Sequence, residues 1–114
     1  MSREHRLFLE DMCQACEKVI RYAQGLTQEQ FVATEQTFDA VMRNLEIIGE
    51  ACKHVPPEVR AQHPSVDWRR IAGLRDVVIH EYFGVDIEIV WDVVSREVPA
   101  LREQLEQILQ MSSE

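Results

Sequence analysis

The chain is short of basic residues: 12 Lys and Arg stand against 20 Asp and Glu, a formal charge of −8. That deficit argues against a generic nucleic-acid coat, whose affinity comes from neutralising phosphates. Three cysteines, an odd number, argue against a disulfide framework and fit a reducing compartment. No apolar run is long enough to cross a bilayer. The opening MSREHRLFLEDM puts charges where a signal peptide would need its apolar segment. A cytoplasmic chain with no membrane association is expected. Only four Gly and four Pro, with 46% hydrophobic residues among 114, argue against disorder. A single domain over residues 1–114 is expected, large enough to hold a core without staples.

The charge that is present lies unevenly. Residues 1–25, 26–52, 53–75 and 76–114 carry net charges of 0, −4, +3 and −7. The only net-positive segment therefore runs into Arg75 and also holds His54 and His63. A solvated face explains such asymmetry as readily as a binding surface does.

Hydrophobic spacing predicts helices throughout, and no run alternates with period two. A first helix over about Glu4 to Gln24 buries Phe8, Met12, Ala15, Cys16, Val19, Ile20 and Ala23, and Gly25 ends it. Thr27 and Gln30 form a capping box for a second segment, broken near Ala33. Phe38, Val41, Met42, Leu45, Ile48 and Cys52 make another stripe, ending before Pro56-Pro57. Pro57 opens a short turn, and His63-Pro64-Ser65 is loop. Asp67 caps a helix holding Trp68, Ile71 and the stretch that follows, which Gly84 breaks. Asp86 caps the last helix, where Ile87, Trp91, Val94, Val98, Leu101, Leu105 and Ile108 form a heptad seam. Pro99 lies inside it, lacks an N–H, crowds the carbonyl of Ser95 and predicts a kink. The expected fold is an all-α bundle of four main helices with short extra turns.

Several constellations suggest chemistry that their surroundings do not support. Cys13 and Cys16 have CxxC spacing, but two further zinc ligands with their own local spacing are not evident, and the pair falls in a helical stripe where Cys acts as a small hydrophobe. His5, His54 and His63 are isolated in polar contexts and read as surface residues. Glu46 and Glu50 stand one helical turn apart but have no His partner at helical spacing, so a solvated face is preferred over a metal site. No metal or cofactor is expected.

The stretch LRDVVIHEY, residues 74–82, differs. At about 100° per residue, and with Arg75 at zero, Ile79 falls near 40°, Asp76 near 100°, His80 near 140° and Tyr82 near 340°. Arg75 and Tyr82 thus share one face, and Asp76 and His80 share the adjoining one as an i, i+4 pair. Asp76 could accept the proton of one imidazole nitrogen, fixing the tautomer and raising the basicity of His80. Arg75 supplies a permanently charged fork for phosphate oxygens. The separation of about 140° between Arg75 and His80 is awkward for gripping one phosphate from one straight helix. Two arrangements would relieve it: a helix break near Gly73 or Gly84, or a site shared across a two-fold dimer. In such a dimer two histidines could share the acid and base roles of attack by an RNA 2′-OH, while two arginines hold the charge on the phosphorane.

Arg75, His80 and Tyr82 at this spacing match RX4HXY, and the sequence here resembles the HepT-like toxins of the HEPN ribonuclease superfamily. The likeness extends over Asn44-Leu45-Glu46-Ile47-Ile48-Gly49-Glu50-Ala51, Trp68 with Ile71-Ala72-Gly73-Leu74, Tyr82-Phe83-Gly84-Val85-Asp86 and Val90-Trp91. The resemblance implies a HEPN-like helical-bundle homodimer acting as a metal-independent endoribonuclease on RNA. It also implies a type VII toxin–antitoxin pair in which an MNT-type nucleotidyltransferase antitoxin attaches AMP to the motif tyrosine. By position, Arg75 and His80 are then catalytic, Asp76 supports His80, and Tyr82 is the AMPylation target. The residue after the arginine is often Asn in this family. Asp76 keeps the hydrogen bond to His80 but adds a negative charge near the phosphate. A reading of a different class stays open beside it, a non-catalytic nucleotide-binding or adaptor subunit that holds a minimal nucleotidyltransferase.

Overall fold

Ser2 starts the first helix, its hydroxyl accepting the His5 N–H at 3.1 Å. The computed structural model describes residues 1–82 and 86–112, and for residues 79–82 and 112 the backbone alone. Helix α1 runs Arg3–Ala23, α2 Gln28–Ala33, α3 Glu35–Lys53, α4 Pro57–Gln62, α5 Trp68–Ala72, α6 Leu74–Tyr82 and α7 Ile87–Asp92. A π-helical turn, Val93–Glu97, leads directly into α8, Val98–Ser112. Among the described residues there is no strand, and the fold is all-α. Nor, among them, is any helix long and apolar enough to cross a membrane.

The punctuation follows local chemistry. Gly25 takes φ +77°, a left-handed conformation that favours glycine, and stops α1. Thr27 and Gln30 make both bonds of the capping box, at 3.1 and 3.0 Å, and Thr34 separates α2 from α3. Asp67 caps α5 by accepting the Arg70 N–H at 3.1 Å, and Asp86 caps α7 through Glu88.

The centre of the bundle is α1, which packs on α3 along one side and α8 along the other. Arg6 near its start donates to the Leu109 carbonyl near the end of α8 at 3.0 Å, so the two helices run antiparallel. Phe8 stacks on His54, the cap residue ending α3, with ring centroids 4.9 Å apart, so α3 is antiparallel to α1 as well. Leu9, Met12, Cys16, Val19, Val41, Leu45, Ile48 and Leu105 are fully buried along these contacts. Each large apolar side chain there contributes about 1.5–3 kcal/mol relative to exposure. The far side of α3 carries α5 and α6.

Three expectations are corrected. The α1 stripe is centred on Leu9, Met12, Cys13, Cys16 and Val19, leaving Phe8, Ile20 and Ala23 at its margin, because α3 and α8 together cover a wider arc than one stripe. The segment after Asp67 is not one helix: the chain breaks at Gly73 into α5 and α6. Pro99 is met by the π-helical turn, in which the Val98 N–H reaches the Val93 carbonyl five residues back. The extra residue in that turn shifts the seam, so Val90 and Val93 are buried while Ile87 and Trp91 lie at its edge. From Val94 through Val98, Leu101, Leu105 and Ile108 the seam runs as read from the sequence. The break proposed at Gly84 lies outside the described residues.

Candidate active site

Helix α6 is anchored by Leu74 and Val78, both buried and one turn apart, which turn its inner side to α3. Arg75 and Asp76 therefore face outward, and both are exposed. The seat for this helix is Gly49. A β-carbon there would stand 3.2 Å from the backbone nitrogen of Arg75 and 3.4 Å from the Ala72 carbonyl oxygen. A glycine in mid-helix usually costs about 1 kcal/mol against alanine; here it lets α3 press its backbone against the first turn of α6.

The next residue of α3 meets the arginine head group. Arg75 Nη1 donates to Glu50 Oε1 at 3.2 Å, and Lys53 Nζ reaches the same oxygen at 3.4 Å. Lys53 first and Arg75 second hold the Glu50 carboxyl below the usual carboxylate range. Both of the paired carboxylates weighed as a metal site border a hollow between α1 and α3, with Phe8, Asp11, Arg43 and His54, and Glu50 serves two cations besides. Among the described residues no cluster of three or more His, Cys, Asp or Glu is placed to hold a metal ion.

Asp76 lies in the first turn of α6, where a carboxylate is favoured by the helix dipole. It borders a second hollow, of about 470 Å³, with Asp67, Arg69, Arg70, Gly73 and Val77. One wall is fixed by Arg70, whose Nε and Nη2 grip both oxygens of Glu97 at 3.1 and 3.2 Å. His80 and Tyr82 lie on the backbone of α6, and their side chains are outside the described residues. Gly73 precedes Arg75, so the observed break leaves Arg75 and His80 on one continuous helix, about 140° apart by helical geometry.

The matched family profile is described as "Ribonuclease HepT-like" and covers residues 12–108, a span that includes Gly49, Glu50 and the whole LRDVVIHEY stretch. The chain belongs to the ribonuclease HepT-like family. HepT-like relatives are similar over nearly all of its length. "Putative RNase TTE0752" of Caldanaerobacter subterraneus subsp. tengcongensis is 46% identical over 105 residues, 92% of this chain and 94% of that protein. "Probable ribonuclease HepT" of Thermococcus cleftensis is 39% identical over 108 residues, 95% and 98% of the two chains. "Gamma-glutamylcyclotransferase and putative RNase MJ0434" of Methanocaldococcus jannaschii is 34% identical over 110 residues, which make up 50% of that longer protein. No solved structure matches the chain at comparable significance. The bundle described above is accordingly HEPN-like, and the enzyme class is ribonuclease.

Two features around the candidate residue Arg75 escape a reading of the motif alone: the close approach at Gly49 and the partnership of Glu50 with Arg75. Their signal was a glycine inside an otherwise regular helical stripe, directly followed by a carboxylate. The other candidates are structural. Cys13 and Cys16 are buried in the core, and burial pushes both thiols above their ordinary range. His54 is exposed and stacked on Phe8, and the His63 carbonyl accepts the Trp68 indole N–H at 3.0 Å.

Proposed function

We propose that this ribonuclease is a single-domain, cytoplasmic, homodimeric toxin that cuts RNA internally by attack of the 2′-OH, without a metal. His80 exchanges the proton, Arg75 stabilises phosphate charge, Asp76 orients His80, and Tyr82 closes the site. The observation that carries the reading is the placement of Arg75, exposed on α6 five residues before His80 on one unbroken helix, with its backbone seated by Gly49. Divergence of the two groups by about 140° favours a cleft in which one protomer's arginine serves the other's histidine. A positioned imidazole and a fixed guanidinium cover both needs of transesterification, proton transfer and charge stabilisation. The partner is an MNT-type nucleotidyltransferase antitoxin, which silences the enzyme by adding AMP to Tyr82.

The test is cleavage of a defined RNA by the purified chain in EDTA. Products with 2′,3′-cyclic phosphate and 5′-OH ends are expected, with a loss of roughly 10²-fold or more in His80→Ala. A strict Mg²⁺ requirement, 5′-phosphate ends, or ordinary activity from folded H80A protein would overturn the mechanism.

A further inference from the structure

Among the described residues, one side-chain ion pair ties the motif helix to the rest of the bundle, and it joins Arg75 to Glu50. Helix α3 therefore sets both ends of the arginine. Gly49 seats its backbone, and Glu50 meets its head group one residue later. We propose that Glu50 is a positioning residue of the ribonuclease, whose carboxylate holds the Arg75 fork at one corner and aims its remaining N–H groups at the RNA phosphate. The proposal rests on the reading of Arg75 as the phosphate-binding group.

The geometry of the pair suits that task. A guanidinium offers five N–H donors in a rigid plane, and the contact to Glu50 runs through Nη1. A bidentate lock would occupy a whole edge of the fork, the edge a phosphate needs; a hold at one corner does not. Lys53 stands at the same carboxylate oxygen, which restrains Glu50 and, with Arg75, favours its ionised form. The side chains of Arg75 and Glu50 are 48% and 45% exposed, so the pair adds little to the stability of the fold. What it fixes is the direction of a long, flexible side chain whose chemistry depends on direction.

The experiment compares wild type, Glu50→Gln, Glu50→Asp and Arg75→Ala as full chains on one RNA oligonucleotide, with kcat, KM and thermal melting measured for each. Glu50→Gln keeps the shape and loses the charge. It is expected to lower kcat roughly 10-fold, to leave KM level or lower because a negative charge beside RNA is gone, and to melt as wild type does. Glu50→Asp keeps the charge and should recover part of the kcat. Wild-type or higher kcat in E50Q overturns the proposal, the higher value meaning that Glu50 restrains the arginine instead of aiming it. A kcat loss accompanied by a clear fall in melting temperature, and not recovered in Glu50→Asp, overturns it too, since the role would then be structural. RNA left uncut by wild type, or cut equally well by R75A, overturns the reading of Arg75 and the proposal with it; RNA cut by wild type and not by R75A confines any failure to Glu50.

Discussion

At the scale of single residues, the same kind of group does different work in different surroundings. Cys13 and Cys16 have the spacing of a redox or zinc pair, yet Cys16 is fully buried and Cys13 nearly so. Burial is the largest cause of both raised thiol pKa values, and Glu17 beside Cys13 adds to it. Since the thiolate is the reactive form, the native protein should resist alkylation at pH 8 and take up reagent at all three cysteines once unfolded. Mass measurement before and after denaturant checks this, and rapid labelling of native Cys16 would contradict it. Tyr82 is the opposite case, a residue whose value would lie in being modified. On α6 it falls two turns beyond Arg75 and nearly above it. An AMP group on its phenolic oxygen would bring a phosphodiester anion to the arginine fork and an adenine ring into the cleft. A nucleotidyltransferase partner with ATP and Mg²⁺ should therefore add AMP to Tyr82 and abolish cleavage, while Tyr82→Phe should stay active and resist silencing. Intact mass after co-incubation decides; AMP on another residue would count against the role.

At the scale of elements, the contrast between two glycines is the sharpest test of how the site is seated. A β-carbon on Gly49 meets the Arg75 backbone nitrogen at 3.2 Å, whereas one on Gly73 meets its nearest atom, the Arg70 carbonyl oxygen, at 3.4 Å, an ordinary contact. Gly49→Ala gains helix propensity of about 1 kcal/mol but must push α6 outward, an overpacking cost of about 1–3 kcal/mol. It should lower the denaturant midpoint modestly and ribonuclease activity more, because Arg75 moves with α6. Gly73→Ala should be neutral in stability. Equal behaviour of the two variants would show that the close approach is unimportant. These contacts also mark what the sequence could and could not convey. Caps at Thr27, Asp67 and Asp86 and the stops at Gly25 and Pro56 were legible because they depend on local chemistry. The seam of the last helix was legible from Val94 onward, but the π-helical turn was not, since it adjusts a whole helix to a proline and to neighbours that α1 provides. The motif residues were legible from spacing. The partnership of Glu50 with Arg75 was not, because 25 residues separate them and only the packing of α3 on α6 brings them together.

At the scale of the whole molecule, a chain of net charge −8 has to act on a polyanion, so the positive groups must be concentrated where RNA sits. A single protomer concentrates them poorly. Arg75 is partly neutralised by Glu50, and Arg70 is clamped by Glu97. Two copies facing each other across a two-fold axis would bring two Arg75 and two His80 to one cleft and double its local charge without altering the acidic remainder. The helix geometry makes the same demand, because one continuous α6 sets Arg75 and His80 about 140° apart. Complementation separates this from a self-sufficient protomer. An Arg75→Ala chain and an His80→Ala chain should each be inactive alone. Mixed and allowed to exchange, they form heterodimers in which one intact arginine and one intact histidine meet in the shared cleft. If the groups act across the interface, activity should return in proportion to the heterodimer fraction, up to about half of the protein at random exchange of equal amounts. Mass spectrometry of the intact dimers measures that fraction, and cleavage of the same RNA measures the return. Chains that exchange fully and remain as inactive as their parents would leave complementation across the interface unsupported, and a strictly monomeric protein at micromolar concentration would remove the shared cleft altogether.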